Sequence, residues 1–338
     1  MSRQQRRRAL LGVADSVGCQ SVVLRRPANV AWYTGGLDIR VDHSDDSGVA
    51  SVVITADGEW ILADVIEAPR LRVERQVALD LEVVEHPWHL SAADTMAGLV
   101  DGGATASDLP DSRSERDLSA RIAPLRYVLD AEAIEQYRQL GADTRAIFDE
   151  VALLVRPDMT ELGAAALLAA AARRRNGATP VLLVAGSERT AKFRHPLPTP
   201  APLGSRVMLV ACVERYGLFA SLTRFVDFVP PPADLAARTR ATDEILTRMR
   251  TEATRPGRTL GAAFDDCRRF YAEAGYPDEW KQHHQGGMAG YRSREVIARP
   301  GDGTEIQRGQ AFAWNPSVAG TKSEETIFVI HDGAEVLT

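Results

Sequence analysis

Several residues that can carry out acid–base chemistry lie in short polar stretches of the C-terminal half of the chain. His195 sits in the stretch TAKFRHPLPT, and His283 and His284 open the glycine-rich stretch HHQGGMAGYRSRE. A free imidazole titrates at about pH 6.5, so a histidine can take or give a proton at neutral pH. His195 is therefore a candidate general acid or base, or else a loop histidine exposed to water.

Two neighbouring glutamates offer a carboxylate to the same site. Glu324 and Glu325 are adjacent in a predicted strand, so their side chains point to opposite faces. Lys322 lies two residues before Glu324 and shares its face. An inward carboxylate would bind a cationic group of a substrate or orient a base. The alternative is a structural salt bridge from Glu324 to Arg224, Arg294 or Lys322.

Arg294 and Glu295 end the glycine-rich stretch with a further pair of opposite charges. An arginine can hold a carboxylate through two parallel hydrogen bonds, so Arg294 is a candidate to bind a substrate anion. It could equally neutralise Glu324. Tyr291 and Trp314 could form the walls of a pocket, or else belong to the core.

The glycine-rich stretch places unusual demands on the backbone. Gly286, Gly287 and Gly290 lie within five residues of one another. Glycine is used where the chain takes a positive φ or passes close to another group. If the two preceding histidines alternate along a strand, one of them faces inward. An ordinary glycine-rich surface loop is the alternative.

Composition and charge limit the class of protein. The 338 residues suffice for two domains. A net charge of -6 and a pI near 5.7 argue against a nucleic-acid or anionic-membrane partner. No run approaches the roughly 18–20 apolar residues of a membrane span. The three cysteines are far apart, which fits reduced thiols in a cytoplasmic protein. We expect the partner of this protein to be a small-molecule substrate.

The elements that position these residues fall into two regions. In the first, strand and helix patterns alternate, with a hairpin at Ala56-Asp57-Gly58, a helix over 70–77 and a strand over 79–85. This mixture predicts a small α/β domain. A long amphipathic helix begins near Asp130, so we place the two domains at 1–125 and 126–338.

The second region contains an internal sequence repeat. Residues 156–160 and 255–259 each combine a proline turn with a threonine N-cap, and an amphipathic helix follows each of them. An extended stretch comes after each helix. This repetition predicts a duplicated α+β unit with pseudo-twofold symmetry.

Seven stretches, taken in order, resemble the creatinase, prolidase and methionine-aminopeptidase (M24) superfamily, whose members have the pita-bread fold. They are NVAWYTGG, RPDMTE, TAKFRHPLPT, RYGLFASLTRF, HHQGGMAGYRSRE, FAWNP and KSEETIFVIHDGAEVLT. The resemblance covers most of the chain and is strongest from about residue 125 to residue 338. It implies an α/β N-terminal domain, an α+β pita-bread domain with two related halves, and a homodimer.

The departures from this family concern its metal ligands. The metallopeptidases of the family hold two metal ions with two Asp, one His and two Glu. The resemblance places these positions at Val210 (or Ala211), Ser221, Gly287, Asn315 and Glu324, so one carboxylate remains. A paired-metal site needs several anionic oxygens. We therefore expect a site without metal or other cofactor, in which Ser221 and Asn315 hydrogen-bond an organic ligand.

Creatinase is the relative whose chemistry fits this pattern, because it lacks the metal ligands, hydrolyses a C–N bond of a small guanidino compound and uses a histidine base. The resemblance places His195 in the loop of that base and Glu324 at the closing-strand carboxylate. It puts Arg294 at the second family histidine and favours His283 as the inward member of its pair. It also makes Arg40 a candidate to reach the site of a neighbouring subunit.

We therefore expect a metal-independent hydrolase of a C–N bond, amidinohydrolase- or amidase-like, with His195 as general acid–base and Glu324 as an orienting or binding group. The substrate-binding candidates are Arg294, Glu295, His283, Tyr291, Asn315, Ser221, Arg224, Lys322, Trp314 and Arg40. Two alternatives stay open. One is a non-catalytic pseudopeptidase that binds a ligand or a protein. The other is a metal-dependent hydrolase, Xaa-Pro-peptidase-like, with non-standard ligands such as His195 or His283 with Glu324.

Overall fold

A computed structural model describes residues 1–74, 80–100, 102–331 and 333–338. The chain divides into two compact units, Met1–Glu132 and Ala133–Thr338. This division falls just after Asp130, slightly beyond the expected boundary at 125/126. In the described residues, no helix is long and apolar enough to cross a membrane.

The N-terminal unit is built on a mixed sheet. The described strands have the order β4-β3-β2-β1-β5-β6 and are β1 (Ser21–Leu24), β2 (Ala50–Ile54), β3 (Glu59–Asp64), β4 (Glu82–His86), β5 (Thr105–Ser107) and β6 (Arg116–Asp117). The helices are α1 (Arg3–Asp15), α2 (Pro27–Thr34), α3 (Ala68–Val73), α4 (Ala93–Leu99) and α5 (Ser119–Ile122), with a 3-10 turn at Ala123–Arg126. The mixture confirms the α/β character of this region.

Local signals explain most of these elements. The predicted hairpin joins β2 to β3, which pair antiparallel. Helix α2 ends at Gly35, which takes φ +80° and so adopts the left-handed conformation that glycine accepts at no steric cost. The helix predicted over 70–77 is α3, and the strand predicted over 79–85 is β4. Residues 75–79, which both predictions touch, lie outside the described residues.

The C-terminal unit contains two helix-then-strands halves. The long helix α6 (Ala131–Leu154) is followed by the first half, with α7 (Glu161–Arg173), β7 (Ala178–Gly186), α8 (Ser187–Thr190), β8 (Arg206–Arg215) and β9 (Leu218–Asp227). Strands β7, β8 and β9 form an antiparallel sheet in that order.

The second half follows the same plan with more strands. Its helices are α9 (Ala233–Arg248) and α10 (Leu260–Glu273), with a π-helical turn at Met249–Ala253 and a 3-10 turn at Glu279–Gln282. Its strands are β10 (Gly286–Ala289), β11 (Val296–Ile297), β12 (Ala311–Trp314), β13 (Ser317–Val318), β14 (Thr321–Lys322), β15 (Glu325–Val329) and β16 (Ala334–Val336). The main sheet has the order β11-β10-β12-β15-β16, and β13 pairs with β14.

The predicted repeat is confirmed at the first residues of α7 and α10, where the two halves have the same threonine N-cap. Thr160 caps α7 by accepting from the amide of Gly163, and Thr259 caps α10 by accepting from the amide of Ala262, both at 3.1 Å. Each threonine therefore satisfies an amide that the first helical turn leaves without a partner. The halves meet at an antiparallel bridge between Thr223 and Glu324. This bridge brings polar side chains of β9 next to those that precede β15.

Candidate active site

A buried cluster of charged side chains lies at the bridge between the halves. The carboxylate of Glu324 accepts from Arg294 Nη2 at 3.0 Å, from Lys322 Nζ at 2.9 Å and from Thr223 Oγ1 at 2.7 Å. Only 3% of the Glu324 side chain is exposed. Burial would raise the pKa of this carboxyl, but the cations of Lys322 and Arg294 outweigh it and lower the pKa to about 2. Glu324 is therefore ionised, and two cations face one anion.

Strand alternation explains which glutamate joins this cluster. Lys322 and Glu324 are two residues apart and meet on one side of the chain, whereas Glu325 turns away and pairs with Arg250 at 2.8 Å. Trp314 lies opposite Glu325 in the β12–β15 pair. It is fully buried, and its indole donates to Thr254 Oγ1 at 2.9 Å. Trp314 is thus a core residue on the side of the sheet away from Glu324, so the expectation that it walls the site is not supported.

The guanidinium of Arg294 connects Glu324 to Ser221. Its Nη1 donates to Ser221 Oγ at 3.2 Å, while its Nη2 binds Glu324. The sulfur of Cys212 lies 3.2 Å from the same Ser221 oxygen, and burial raises the pKa of the Cys212 thiol. Val210 belongs to this side of the β8–β9 pair, because Val210 is opposite Thr223. Arg294 therefore links β9 to the residue that precedes β15 and binds a neutral and an anionic partner at once.

Two of the sequence candidates have a buried side-chain atom without a hydrogen-bond partner among the described residues. They are Nε of Arg294, a donor, and Oδ1 of Asn315, an acceptor. Asn315 is only 2% exposed, and its main-chain amide donates to the carbonyl of Gln285 at 3.1 Å. Buried polar atoms are nearly always satisfied in folded proteins. These two atoms can therefore offer a hydrogen-bond donor and an acceptor to a small polar ligand.

Three histidines form a second group of the site. The Nε2 atoms of His195 and His283 are 2.7 Å apart, and the rings meet edge to face with centroids 4.6 Å apart. His284 stacks on His283 at 4.5 Å. Both adjacent histidines lie beside His195, because the chain before β10 is not a strand and does not alternate. The expectation of one inward histidine supposed that the pair alternates along a strand, which the structure does not show, and both rings lie near His195.

All three imidazoles favour the neutral form. Burial and the nearby Lys322 cation lower the pKa of His283 to about 3, and burial and Arg294 lower that of His284 to about 4. Burial and Lys322 also lower the pKa of the more exposed His195, while Glu324 opposes this. Neutral imidazoles carry a lone pair that can accept a proton or bind a metal. One ligand atom from each histidine lies within 4.8 Å of the others, so the three could together hold one metal ion.

A buried glutamate that the sequence did not single out anchors the His195 loop. Glu161 is fully buried at the start of α7, and its carboxylate accepts from the amide of Gly186 at 2.8 Å. It also accepts from the amide and the hydroxyl of Thr199, at 3.0 and 2.6 Å, and pairs with Arg189. Glu161 thus fixes both ends of the segment 187–199. Its position directly after the N-cap threonine of RPDMTE is usual for an acidic residue of a first helical turn and does not by itself indicate this role.

A cavity of about 10 Å³, room for about one water molecule, borders His283. It is lined by His283, Lys322, Ser317 and Arg194, among others. A wider cleft of 320 Å³ shares Arg194 with it. His283 and Lys322, one from each candidate group, therefore border the small cavity, and Arg194 borders both spaces.

Comparison with known proteins gives a family for this arrangement. The model of metallopeptidase family M24 matches residues 135–334. The chain belongs to metallopeptidase family M24. No curated protein sequence gave a match. This M24 chain is also similar to many solved structures, and the three described next match it over almost its whole length, which confirms the pita-bread fold.

The first of these structures is a Xaa-Pro dipeptidase from Bacillus anthracis, with 18% identity, a TM-score of 0.82, and coverage of 99% of this chain and 97% of that chain. The prolidase from Pyrococcus horikoshii OT3 has 15% identity, a TM-score of 0.82 and coverage of 98% and 97%. The X-Pro aminopeptidase from Thermotoga maritima MSB8 has 18% identity, a TM-score of 0.79 and coverage of 98% and 97%. At these identities the likeness concerns the fold.

The residues of this M24 chain do not fit the paired metal ions that the family implies. Of the five ligand positions taken from the resemblance, only Glu324 supplies a carboxylate, and Arg294, Lys322 and Thr223 already bind it. Gly287, at the histidine position, takes φ +150°, and a Cβ there would lie 2.1 Å from the carbonyl oxygen of Val296. No side chain is accommodated at that position without a shift of the backbone.

The remaining sequence candidates lie in different surroundings. Arg224 pairs with Asp149 and not with Glu324. Tyr291 is buried, with 2% exposure. The main-chain amide of Glu295 donates to the carbonyl of Met288 at 2.8 Å, within the sheet. Arg40, in the N-terminal unit, binds Asp38 through its amide and side chain.

Proposed function

We propose that this M24 chain is a hydrolase that breaks a C–N bond in a small polar substrate without the paired metal ions of its family, with His195 as general acid–base. The observation that supports this most is the Arg294 guanidinium, which lies between Ser221 and Glu324. A fixed cation there supplies the positive charge that a metal ion would otherwise bring to this position. The proton transfers of the reaction are then carried out by the neutral histidines near Arg294.

The reaction follows from the protonation states. His195 takes a proton from water as the water oxygen forms a bond to the substrate carbon. The C–N bond then breaks, and the same proton passes from His195 to the departing nitrogen. Arg294 and Lys322 hold an anionic group or the developing negative charge of the substrate. Glu324 acts by orienting these two cations, because its low pKa and its three donors leave it a poor proton acceptor.

The excess of positive charge indicates the kind of substrate. Arg294 and Lys322 carry two charges against the one of Glu324, and a low-dielectric site strengthens the attraction for an anion. The free Nε of Arg294 and Oδ1 of Asn315 add one donor and one acceptor. A small amide, amidine or urea that also carries a carboxylate would use all of these groups.

The test is turnover of a panel of such compounds by the wild type and by His195→Ala, with His89→Ala as the control. His89 is exposed and lies in the N-terminal unit. We expect His195→Ala to lose turnover by at least about 100-fold, the usual contribution of a general base, while folding is retained. A fully active His195→Ala variant would overturn the proposal. A ligand that binds saturably and is never turned over would favour the non-catalytic pseudopeptidase.

A mononuclear metal-dependent hydrolase is the second candidate function, and the three clustered histidines favour it. Its ligands would be His195, His283 and His284. Glu324 would not be among them, because its oxygens are occupied by Arg294, Lys322 and Thr223. Metal analysis of the purified protein separates the two candidates.

The proposal includes a homodimer, as the resemblance implies, and a cytoplasmic location, as the three separate cysteines suggest. Arg40 would then reach the site of the partner subunit, and Asp38 would hold its side chain ready. Sedimentation analysis tests the dimer. A mixture of inactive His195→Ala and Arg40→Ala proteins should recover part of the activity if Arg40 acts across subunits.

A further inference from the structure

The direction of the hydrogen bonds among the histidines can be deduced atom by atom. Nδ1 of His283 contacts the carbonyl oxygen of His284. A carbonyl can only accept, so Nδ1 of His283 carries the hydrogen. A neutral imidazole has a single N–H, and therefore Nε2 of His283 is an acceptor. Its partner at 2.7 Å is Nε2 of His195, which must then be the donor.

This chain of bonds leaves one basic atom on His195. We infer that His283 is a positioning residue, which holds His195 in the Nε2–H tautomer and so makes Nδ1 of His195 the atom that accepts the proton. The inference rests on the proposed function, since it names the atom through which the proposed base works. His283 thereby moves from a substrate-binding candidate to a residue that acts through His195.

The ring of His283 is held firmly enough for this role. His284 stacks against it with an interplanar angle of 27°. The ring of His284 is itself oriented, because its Nδ1 accepts from the amide of Gly286 at 3.3 Å. The backbone therefore fixes both rings through one carbonyl and one amide. His195, in contrast, is exposed on its loop and has His283 as its orienting partner.

The arrangement also suits the return of the proton. When Nδ1 of His195 accepts a proton, Nε2–H already donates to His283, so the imidazolium forms without a ring flip. The neutral acceptor stabilises the positive charge, and the ionised Glu324 partly offsets the repulsion from the Lys322 and Arg294 cations. The same ring then delivers the proton from Nδ1 to the leaving nitrogen.

The inference is tested by long-range ¹H–¹⁵N NMR on the full chain labelled with ¹⁵N-histidine, with His195→Ala used to assign the signals. We expect His195 to show the Nε2–H tautomer in the wild type. In His283→Leu the Nε2–H population should fall to that of a free imidazole, which favours this tautomer less completely. His283→Gln should keep the wild-type population, because its amide oxygen can accept from Nε2–H. A dominant Nδ1–H tautomer in the wild type, or an unchanged Nε2–H population in His283→Leu, would overturn the inference.

Enzyme kinetics provide a second measurement, whose result would not change if His283 had only a structural role. With a substrate from the panel, His283→Leu should lower kcat at least about tenfold, a fraction of what the general base itself contributes, with KM nearly unchanged, and His283→Gln should recover most of it. Failure of the proposed function and failure of this inference give different results. If His195 shows the Nε2–H tautomer but no substrate is turned over, only the proposed function is wrong. If turnover requires His195 but His195 shows the Nδ1–H tautomer, only this inference is wrong.

Discussion

Arg294 and Glu324 form a buried ion pair at 3.0 Å, with the side chains 10% and 3% exposed. Lys322 and Thr223 bind the second carboxylate oxygen. A buried charge that loses its partner is costly, whereas an intact pair contributes little net stability. We therefore infer that the main role of this pair is to place a cation next to Ser221. Removal of one partner should strongly lower the free energy of unfolding.

Glu324→Gln should destabilise the protein by about 3–5 kcal/mol, because two buried cations lose their anion. Urea unfolding followed by fluorescence measures the change. Asp265→Asn is the matched control, since Asp265 pairs with Arg268 at 3.2 Å on an exposed surface and should cost about 0–1 kcal/mol. Equal effects of the two variants would show that Glu324 is not a buried partner of the cations.

The pH dependence of stability follows from the half-buried His283 and His284 and from the buried Glu324. The pKa values in the folded protein are about 3 for His283, about 4 for His284 and about 2 for Glu324, all below their ordinary values. The unfolded chain therefore binds more protons, so stability is full above about pH 6.5 and falls as the pH drops. Thermal unfolding between pH 8 and pH 4 measures this.

The double variant His283→Gln, His284→Gln provides the control for the pH experiment. It should show a flatter loss of stability above pH 4.5, since Glu324 begins to contribute only below its ordinary pKa. A wild-type protein that becomes more stable on acidification would contradict the neutral state of these half-buried rings.

Glu161→Gln should loosen the segment that carries His195. The amide replaces one of the two accepting oxygens by a donor, so the contacts with Thr199 and Gly186 cannot all be kept. We expect faster hydrogen exchange in residues 187–199 and a lower kcat. Glu188→Gln, an exposed neighbour in α8, is the control and should leave both unchanged. Unaltered exchange in Glu161→Gln would refute the anchoring role.

Gly287→His should fail to restore a metallopeptidase site. Any Cβ at this position would meet the carbonyl oxygen of Val296 at 2.1 Å, in a backbone conformation that favours glycine. We expect strong destabilisation, visible in thermal unfolding, and no gain in metal binding. Gly98→Ala in α4 is the control, because nothing lies within 4 Å of a Cβ there. A stable Gly287→His protein with bound metal would show that the backbone adapts.

The fold could be predicted from the sequence where local chemistry determines it. The threonine caps at Thr160 and Thr259 and the hairpin turn at Ala56-Asp57-Gly58 depend on residues a few positions apart. Turn and cap residues encode such features directly. The motifs in order then indicated the pita-bread architecture, which the M24 family model and the solved structures support.

The site was harder to predict, because its contacts join residues far apart in sequence. Alternation indicated that Lys322 and Glu324 share a face, but not that Arg294 rather than Arg224 would complete the cluster. The irregular conformation of the chain before β10 was also not predicted. Because this segment is not a strand, both adjacent histidines lie beside His195. Glu161 looked like an ordinary acidic residue in a first helical turn, and only the folded loop shows its buried partners.

Metal content tests the central claim most directly, namely that the Arg294 cation has replaced the metal ions of the family. The protein should be purified without chelator and without an affinity metal, then examined by elemental analysis, with activity measured before and after chelator. We predict a metal-to-protein ratio near zero and activity that chelator does not change. A stoichiometric metal that chelator removes together with activity, and that His284→Gln no longer binds, would contradict the account and establish the three histidines as a metal site.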